Sequence, residues 1–203
     1  MIISKDEADS KDNIDWTALV TATANFTTQI LYLDSNRQIR SKRTIFFILF
    51  ASAFFLVGTW LLFFITLGDP VYRQGGAIFS DAGLWGDVFS LLLSLAFVLG
   101  SMHMLLCGQE ILVEGNNGSI DIVNVFFFKA DKRTIVLEDV EALQLLGHLS
   151  GSGDDSYWAY ELNAVLYDSS RVNILAHGGE RRMIKDAQLL SDFVLKPLLS
   201  NLA

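Results

Sequence analysis

Cysteine is almost missing from this chain, which has one such residue, Cys107, among its 203 residues. An internal disulfide and a cysteine-rich metal site are therefore excluded, and the redox compartment stays undetermined. Basic clusters that could hold a phosphate backbone are also lacking, since acidic residues outnumber basic ones and the formal net charge is −8. Because nucleic-acid binding requires clustered lysine and arginine, we predict no nucleic-acid partner.

Motifs that carry chemistry are missing as well. The three histidines, His103, His148 and His177, have neither HxxxH nor HExxH spacing, so no zinc site is indicated. The N-terminus lacks the basic start and the apolar run of a signal peptide, and it is acidic instead. We predict that residues 1–24 form an acidic, disordered tail, and that the chain is not an enzyme and has no catalytic residue, metal or cofactor.

Two long uncharged runs hold most of the hydrophobic residues, over 44–67 and 88–107. As a helix, the first run would extend roughly 36 Å, which is enough to cross a bilayer. The second run follows Trp85, which is placed like an interfacial aromatic anchor. We predict spans at 44–67 and about 85–106, within a two-span transmembrane hairpin over 44–107 whose external loop is 68–84. The alternative, a buried helical pair in a soluble protein, leaves too little chain to cover both runs.

Cations next to the first span predict its orientation. Arg37, Arg40, Lys42 and Arg43 precede it, and positive residues favour the cytoplasmic side. The N- and C-termini are then both cytoplasmic, and we expect an integral protein of the bacterial inner membrane. The flank after the second span lacks cations, so the predicted topology rests on this one cluster.

Small residues spaced four apart in the second span predict close helix packing. Ser90 and Ser94 form one such pair, and Ala96 and Gly100 form another. Packing of the second span on the first is the favoured interpretation, and packing against another protein is the alternative. His103 lies near the inner end of this span, where solvation is favoured over a proton or metal role.

After the second span the hydrophobic period changes from helical to alternating, which predicts strands. The predicted domain covers 108–203 and ends in a helix over 180–196 that is limited by Pro197. An N-terminal hairpin over 25–43 joins it, so the two spans are an insertion. We expect an α+β cytoplasmic domain, a pleckstrin-homology-like (PH-like) antiparallel sheet or barrel closed by one C-terminal helix. The strands are predicted at 109–114, 119–128, 157–167 and 171–176, while 134–140 and 143–146 form one bent strand or two, and turns are predicted at 129–133 and 168–170.

The start of the C-terminal helix is a candidate anion site. Glycines 178 and 179 precede the helix, and Arg181, Arg182 and Lys185 lie close by, so that a lipid phosphate could bind there. Acidic residues outnumber basic ones in this domain, so any attraction to an anionic leaflet would have to be local.

An aromatic triplet, Phe126, Phe127 and Phe128, is a candidate contact surface. Neighbouring side chains of a strand point to opposite faces, so the three rings cannot all lie in the core. At least one ring is then expected to meet the membrane surface, the C-terminal helix or a partner.

A resemblance to known membrane proteins rests on three segments: NFTTQILYLDSNRQIRSKRT before the first span, and ELNAVLYDSSRVNILAHGG followed by ERRMIKDAQLLSDFVLKPLL. The arrangement resembles bacterial two-span membrane proteins with a cytoplasmic PH-like domain. It is also similar in layout to the two-span photosystem I assembly factor of chloroplasts and cyanobacteria. The resemblance implies scaffolding, assembly or accessory roles, and it supplies no ligand or catalytic residue.

We therefore expect a non-enzymatic scaffold, assembly factor or accessory subunit whose partners are the lipid bilayer and other membrane subunits or further copies of itself. A first alternative is a homo-oligomeric channel or transporter lined by His103, Ser90, Ser94 and Ser101. A second alternative is a domain that senses lipid headgroups through Arg181 and Arg182.

Overall fold

The computed structural model of this chain describes residues 2–4, 15–20, 24–34, 38–67, 83–115, 118–127 and 129–202. These residues form a mixed α+β fold in two compact units, one from Met1–Thr44, Gln109–Asn124 and Asp131–Ala203, the other from Ile45–Gly108 and Val125–Ala130. The elements in chain order are β1 Ile2–Ser4, β2 Gln29–Leu33, β3 Gln38–Arg43, α1 Ile45–Leu67, α2 Gly83–Leu106, β4 Gly108–Glu114, β5 Ser119–Phe126, β6 Lys129–Val136, β7 Val140–Ser150, β8 Tyr157–Leu166, β9 Arg171–His177, α3 Glu180–Val194 and β10 Leu198–Ser200.

The strands form two five-stranded sheets. Sheet 1 has the order β1-β10-β7-β8-β9, and sheet 2 has the order β2-β3-β4-β5-β6. The strands β1, β10 and β7 run parallel, whereas β7, β8 and β9 are antiparallel. Each sheet has two edge strands, so the described residues do not form the closed barrel that was one of the two predicted arrangements.

One hydrophobic core joins the two sheets and α3. Alternate residues of the strands point into it, as the period of two requires. Helix α3 contributes residues spaced three and four apart, which is the apolar stripe that its sequence predicts. Fully buried members are Leu31 and Ile39 in sheet 2, Leu143, Leu162 and Ile174 in sheet 1, and Met183, Ala187 and Leu190 in α3.

The predicted turn over 129–133 is wrong, because β6 begins at Lys129. Nearly every side chain of β6 is exposed, and Lys132 lies 2.9 Å from the Asp121 carboxylate of β5. An edge strand can carry charges on both faces, and these charges discourage pairing with another chain. The same charges made the segment look like a turn. The chain reverses beside Phe127, whose φ is +46°.

The prediction of a disordered tail over 1–24 is wrong for the parts of that segment that the structure describes. The strand β1 pairs with β10 in register Ile2 to Leu198, and residues 15–20 bind sheet 1 through hydrogen bonds. Acidic composition suggests disorder, but a cation from sheet 1 pairs with Asp15. The strand β10 was also not predicted, because three residues are too few to show a period.

The two predicted apolar helices are confirmed as α1 and α2, which pack on each other. Both helices are long and apolar enough to span a membrane. The predicted loop 68–84 lies outside the described residues except for its last two positions, which begin α2.

Candidate functional site

A seam of small residues lies between α1 and α2. Ala51 and Gly58 are buried on α1, and Ser90 and Ser94 are buried on α2. A Cβ atom added to Gly58 would lie 2.8 Å from the Cβ atom of Phe97, so the two backbones approach too closely for a larger residue. The predicted pair Ser90 and Ser94 therefore belongs to the contact between the two helices.

The second small pair of α2 has a different environment. Ala96 and Gly100 are exposed, and a Cβ atom on Gly100 would meet no atom within 4 Å. On α1, Ala53 is likewise exposed. Ala96 and Gly100 are therefore not part of the seam, and the predicted packing of both pairs on the first helix holds for one pair only.

An aromatic cluster lies at the C-terminal end of α2. The His103 ring is 5.4 Å from the Phe126 ring and 5.6 Å from the Phe127 ring, and the two phenylalanine rings are 5.3 Å apart. The backbone N–H of Phe127 donates to Cys107 Sγ at 3.2 Å. Both phenylalanines remain about half exposed. Phe128 lies outside the described residues.

The predicted topology residues lie on or beside β3. Arg40 pairs with Asp34 at 3.3 Å, and Lys42 Nζ lies 4.9 Å from the centre of the Tyr32 ring. Arg43 is the last residue of β3, two positions before α1 begins. Arg37 lies outside the described residues.

The predicted anion site at the start of α3 is closed by the chain itself. A Cβ atom on Gly178 would lie 2.4 Å from the carbonyl carbon of Asn25, and one on Gly179 would lie 1.9 Å from Thr27 Oγ1. The N–H of Gly178 donates to the carbonyl of Ala24 at 2.8 Å. These glycines thus serve the close passage of 24–27, and the helix start offers no open position for a phosphate.

The three cations near that helix start have different roles. Arg181 and Lys185 are exposed, whereas Arg182 turns back to the protein. Its Nη2 atom donates to the Leu31 carbonyl at 2.6 Å and lies 2.7 Å from Asp186 Oδ1. Arg182 is therefore a structural residue in this state, and the predicted lipid contact could involve only the other two.

The Leu31 carbonyl lies on the open edge of sheet 2. In the β2–β3 ladder, Asp34 N donates to Gln38 O at 2.7 Å and Thr44 N donates to Thr28 O at 2.9 Å. Residues of an antiparallel strand alternate in the direction of their backbone groups, so even-numbered residues of β2 face β3. Leu31 then faces the open edge, and the Arg182 guanidinium replaces the missing strand partner.

Two titratable side chains are completely buried near Arg182. Burial raises the pKa of Asp186 to about 6, and Arg182 partly offsets this rise. Burial, together with the charge of Arg182, lowers the pKa of His177 to about 4. The Nδ1 atom of His177 accepts from the N–H of Gly179 at 3.1 Å. Both side chains are therefore held mainly in their neutral forms at pH 5.

A buried polar network occupies the side of sheet 1 that faces away from the main core. We call it the polar face; it consists of Gln144 of β7, Glu161 and Asn163 of β8, and Arg171 and Asn173 of β9. Asn173 Nδ2 donates to Asn163 Oδ1 at 2.9 Å, and Arg171 Nη1 donates to Gln144 Oε1 at 3.1 Å. Gln144, Glu161 and Asn163 are completely buried.

Residues 15–20, which we call the N-terminal strap, cover the polar face. The N–H groups of Leu19 and Val20 donate to the Glu161 carboxylate at 3.1 and 2.8 Å. Arg171 Nη2 donates to Asp15 Oδ2 at 2.7 Å, and Arg171 Nη1 donates to the Thr17 carbonyl at 2.8 Å. The Thr17 backbone and hydroxyl, with a smaller contribution from Arg171, lower the pKa of Asp15.

Sequence reasoning missed the polar face, although a signal was present. The residues of β8 alternate in sequence between a mainly apolar side and a more polar side that holds Glu161 and Asn163, and such a polar side is normally solvated. The strap from a distant part of the chain buries that side, and no local pattern indicates such a cover.

No group of three or more His, Cys, Asp or Glu side chains in the described part of the chain is placed to hold a metal ion. His148 Nδ1 lies 3.7 Å from Glu161 Oε1, which is too long for a hydrogen bond.

The described residues define a mixed α+β protein with two helices long and apolar enough to span a membrane. No protein-family model matches the chain, and a search of curated proteins finds no match. Its function must therefore be inferred from the geometry of its own side chains.

Proposed function

We propose that this chain is a non-enzymatic scaffold or accessory subunit that is anchored in a membrane by α1 and α2. Its remaining unit would be a PH-like cytoplasmic domain, and the membrane would be the bacterial inner membrane, with both termini on the cytoplasmic side. Its partners would be the lipid bilayer and other membrane subunits, or further copies of the same chain.

One observation carries this proposal: the helical pair packs its small residues inward and still exposes an apolar outer surface. Large rings and aliphatic chains point outward, among them Phe46, Trp60 and Leu92 with exposed fractions of 59%, 60% and 61%. A water-soluble protein rarely exposes so large a patch, whereas lipid or a partner helix would cover it. The exposed Ala96 and Gly100 offer a position where a partner helix could approach closely.

The two alternatives receive less support. A channel lined by Ser90, Ser94 and Ser101 would need these side chains to face a shared path, but all three are buried. A lipid sensor that uses Arg181 and Arg182 would need a free Arg182, which instead pairs with Asp186. A pore would also show conductance in reconstituted bilayers, and a lipid sensor would bind anionic vesicles.

Native mass measurement of the protein extracted in mild detergent tests the proposal. We expect the wild-type chain, 22.6 kDa by sequence, to appear in a larger assembly that either contains a second protein or is a multiple of the monomer mass. Ala96→Leu and Gly100→Leu should return the chain to the monomer, because the added side chains fill the exposed small pair.

The matched control is Ala53→Leu, which adds the same bulk to an exposed position of α1 and should leave the assembly intact. A wild-type chain that is a monodisperse monomer would refute the scaffold role. Equal assembly in all three variants would show that Ala96 and Gly100 are not the contact.

A further inference from the structure

The polar face has the composition of a site that captures peptide backbone. Glu161 offers carboxylate oxygens to two successive backbone N–H groups, and Arg171 offers an N–H group to a backbone carbonyl. The Arg171 side chain is only 6% exposed, and Gln144 Nε2 donates to the Asp15 carbonyl at 3.0 Å. Main-chain hydrogen bonds of this kind give affinity for a peptide segment.

The strap packs on sheet 1 through Trp16, but packing alone does not explain the polar face. Burying an ionised carboxylate costs several kcal/mol unless hydrogen bonds and charges compensate it. An apolar face under an apolar strap would avoid that cost. Glu161 instead lies completely buried, and two of its hydrogen bonds come from backbone N–H groups of the strap.

The strap itself is held by polar contacts at its two ends and by the apolar contact of Trp16. Asp15 and Thr17 contact Arg171, and the N–H groups of residues 19 and 20 contact Glu161. The side chains of Asp15, Thr17, Ala18 and Leu19 are exposed. Trp16 adds an apolar contact with the cluster of Ala142, Val165 and Leu199, so the strap opens only when this ring and the polar contacts are released together.

The contacts also indicate which peptide the face selects. Arg171 pairs with an acidic side chain and donates to the hydroxyl two positions later, at 3.1 Å. The side chains at positions 18 and 19 point away from the sheet and would be free to vary. The selected pattern is therefore an acidic residue, an aromatic residue that packs against Ala142, Val165 and Leu199 as Trp16 does, then serine or threonine, in a chain that bends at the third position.

We propose that the polar face is a docking site for a peptide of a partner protein with the pattern Asp-Trp-Thr, bent as the strap is at positions 17 and 19, and that the N-terminal strap occupies the site in the free chain. The proposal rests on the scaffold role only for the existence of a partner. Because the strap is tethered, its effective concentration is on the order of millimolar, and a partner peptide must compete with it.

Peptide binding to the full-length protein in detergent micelles tests this proposal. The probe is a fluorescent peptide with the sequence of residues 13–22, NIDWTALVTA, and the readout is fluorescence anisotropy. Asp15→Ala in the protein weakens the strap and leaves the polar face unchanged. We expect the probe to bind this variant at least tenfold more tightly than wild type, and we expect Thr17→Ala to act in the same direction.

Three controls make the result specific. Asp154→Ala removes an exposed acid far from the strap in sequence, and it should bind the probe as wild type does. A probe in which alanine replaces the aspartate and the threonine that correspond to Asp15 and Thr17 should not bind. Adding Glu161→Gln to Asp15→Ala should reduce probe binding at least tenfold, because one of the two oxygens that accept from backbone N–H groups is replaced by an NH2 group, which cannot accept.

Probe binding to Asp15→Ala that is no tighter than to wild type would overturn the proposal. A lower melting temperature of that variant without probe binding would also overturn it, and would show that the strap is only a structural cover. Neither outcome affects the native mass assay of the hairpin variants, so the scaffold role can fail or stand separately.

Discussion

Two buried groups near Arg182 should give the domain opposite pH dependences that nearly cancel. The folded pKa of Asp186 is raised to about 6 from 3.8, so its contribution to stability is fully present below pH 3.8 and is lost as pH rises through about 6. The folded pKa of His177 is lowered to about 4 from 6.5, so its contribution is present above pH 6.5 and is lost as pH falls toward 4. Each shift corresponds to roughly 3 kcal/mol, since one pKa unit is about 1.36 kcal/mol.

Single variants separate the two contributions. Asp186→Asn removes the gain on acidification, so its free energy of unfolding should fall by about 2–3 kcal/mol relative to wild type between pH 7 and pH 4. His177→Asn keeps an acceptor for the Gly179 N–H and should rise by a similar amount over the same range. Every other carboxylate is common to the three proteins, so the difference from wild type isolates each group.

Urea unfolding of the full chain in a mild detergent, followed by tryptophan fluorescence at several pH values, measures these differences. Each variant has a constant offset from its changed packing, and only the slope against pH tests the reasoning. The difference in free energy of unfolding from wild type should change between pH 7 and pH 4. A change of less than about 0.5 kcal/mol, or a change of the same sign for both variants, would refute the assignment of buried neutral forms to Asp186 and His177.

Three further predictions follow from close contacts. Gly58→Val should destabilise the helical pair by about 1–3 kcal/mol through overpacking against Phe97, as measured by thermal unfolding in detergent, whereas Ala53→Val, at an exposed position of the same helix, should be nearly neutral. Gly178→Ala and Gly179→Ala should both lower the melting temperature, and Thr27→Gly should partly rescue only Gly179→Ala, because Gly178 meets backbone atoms of Asn25. Arg182→Met should lower the free energy of unfolding by about 3–5 kcal/mol at pH 7.5, because the Asp186 carboxylate is left buried and unpaired. The loss should be smaller at pH 5, where Asp186 takes up a proton. An equal loss at both pH values would contradict this account.

The elements of this chain that sequence predicts best are the long helices. The runs that became α1, α2 and α3 extend over several turns, so their apolar patterns are unambiguous. The hairpin of β8 and β9 was also predictable, because the turn residues Asp168, Ser169 and Ser170 separate two alternating runs.

Sequence failed where partners come from distant parts of the chain. The strands β1 and β10 have three residues each, and they exist because they pair with each other and β10 pairs with β7. The edge strand β6 is rich in charged residues, as turns often are. Its pairing within sheet 2 is what makes it a strand.

The candidate sites show the same difference between contacts that are local in the chain and contacts between distant segments. The pair Ser90 and Ser94 was predictable from spacing, since a seam between two helices is a local feature of that pair. The polar face was not, because the hydrogen bond from Val20 to Glu161 spans 141 residues. The same limit applies to Arg182, whose partner Leu31 lies 151 residues away.

The side of the membrane on which each part of the chain lies is the most direct test of the central claim. Alkaline phosphatase, which is active only outside the cytoplasm, can be fused at the N-terminus, within 68–82 and at the C-terminus of the full chain in a bacterial host. We expect activity only from the fusion within 68–82, with the other two fusions expressed but inactive. Activity of the C-terminal fusion would contradict the anchored cytoplasmic domain and the scaffold role that depends on it.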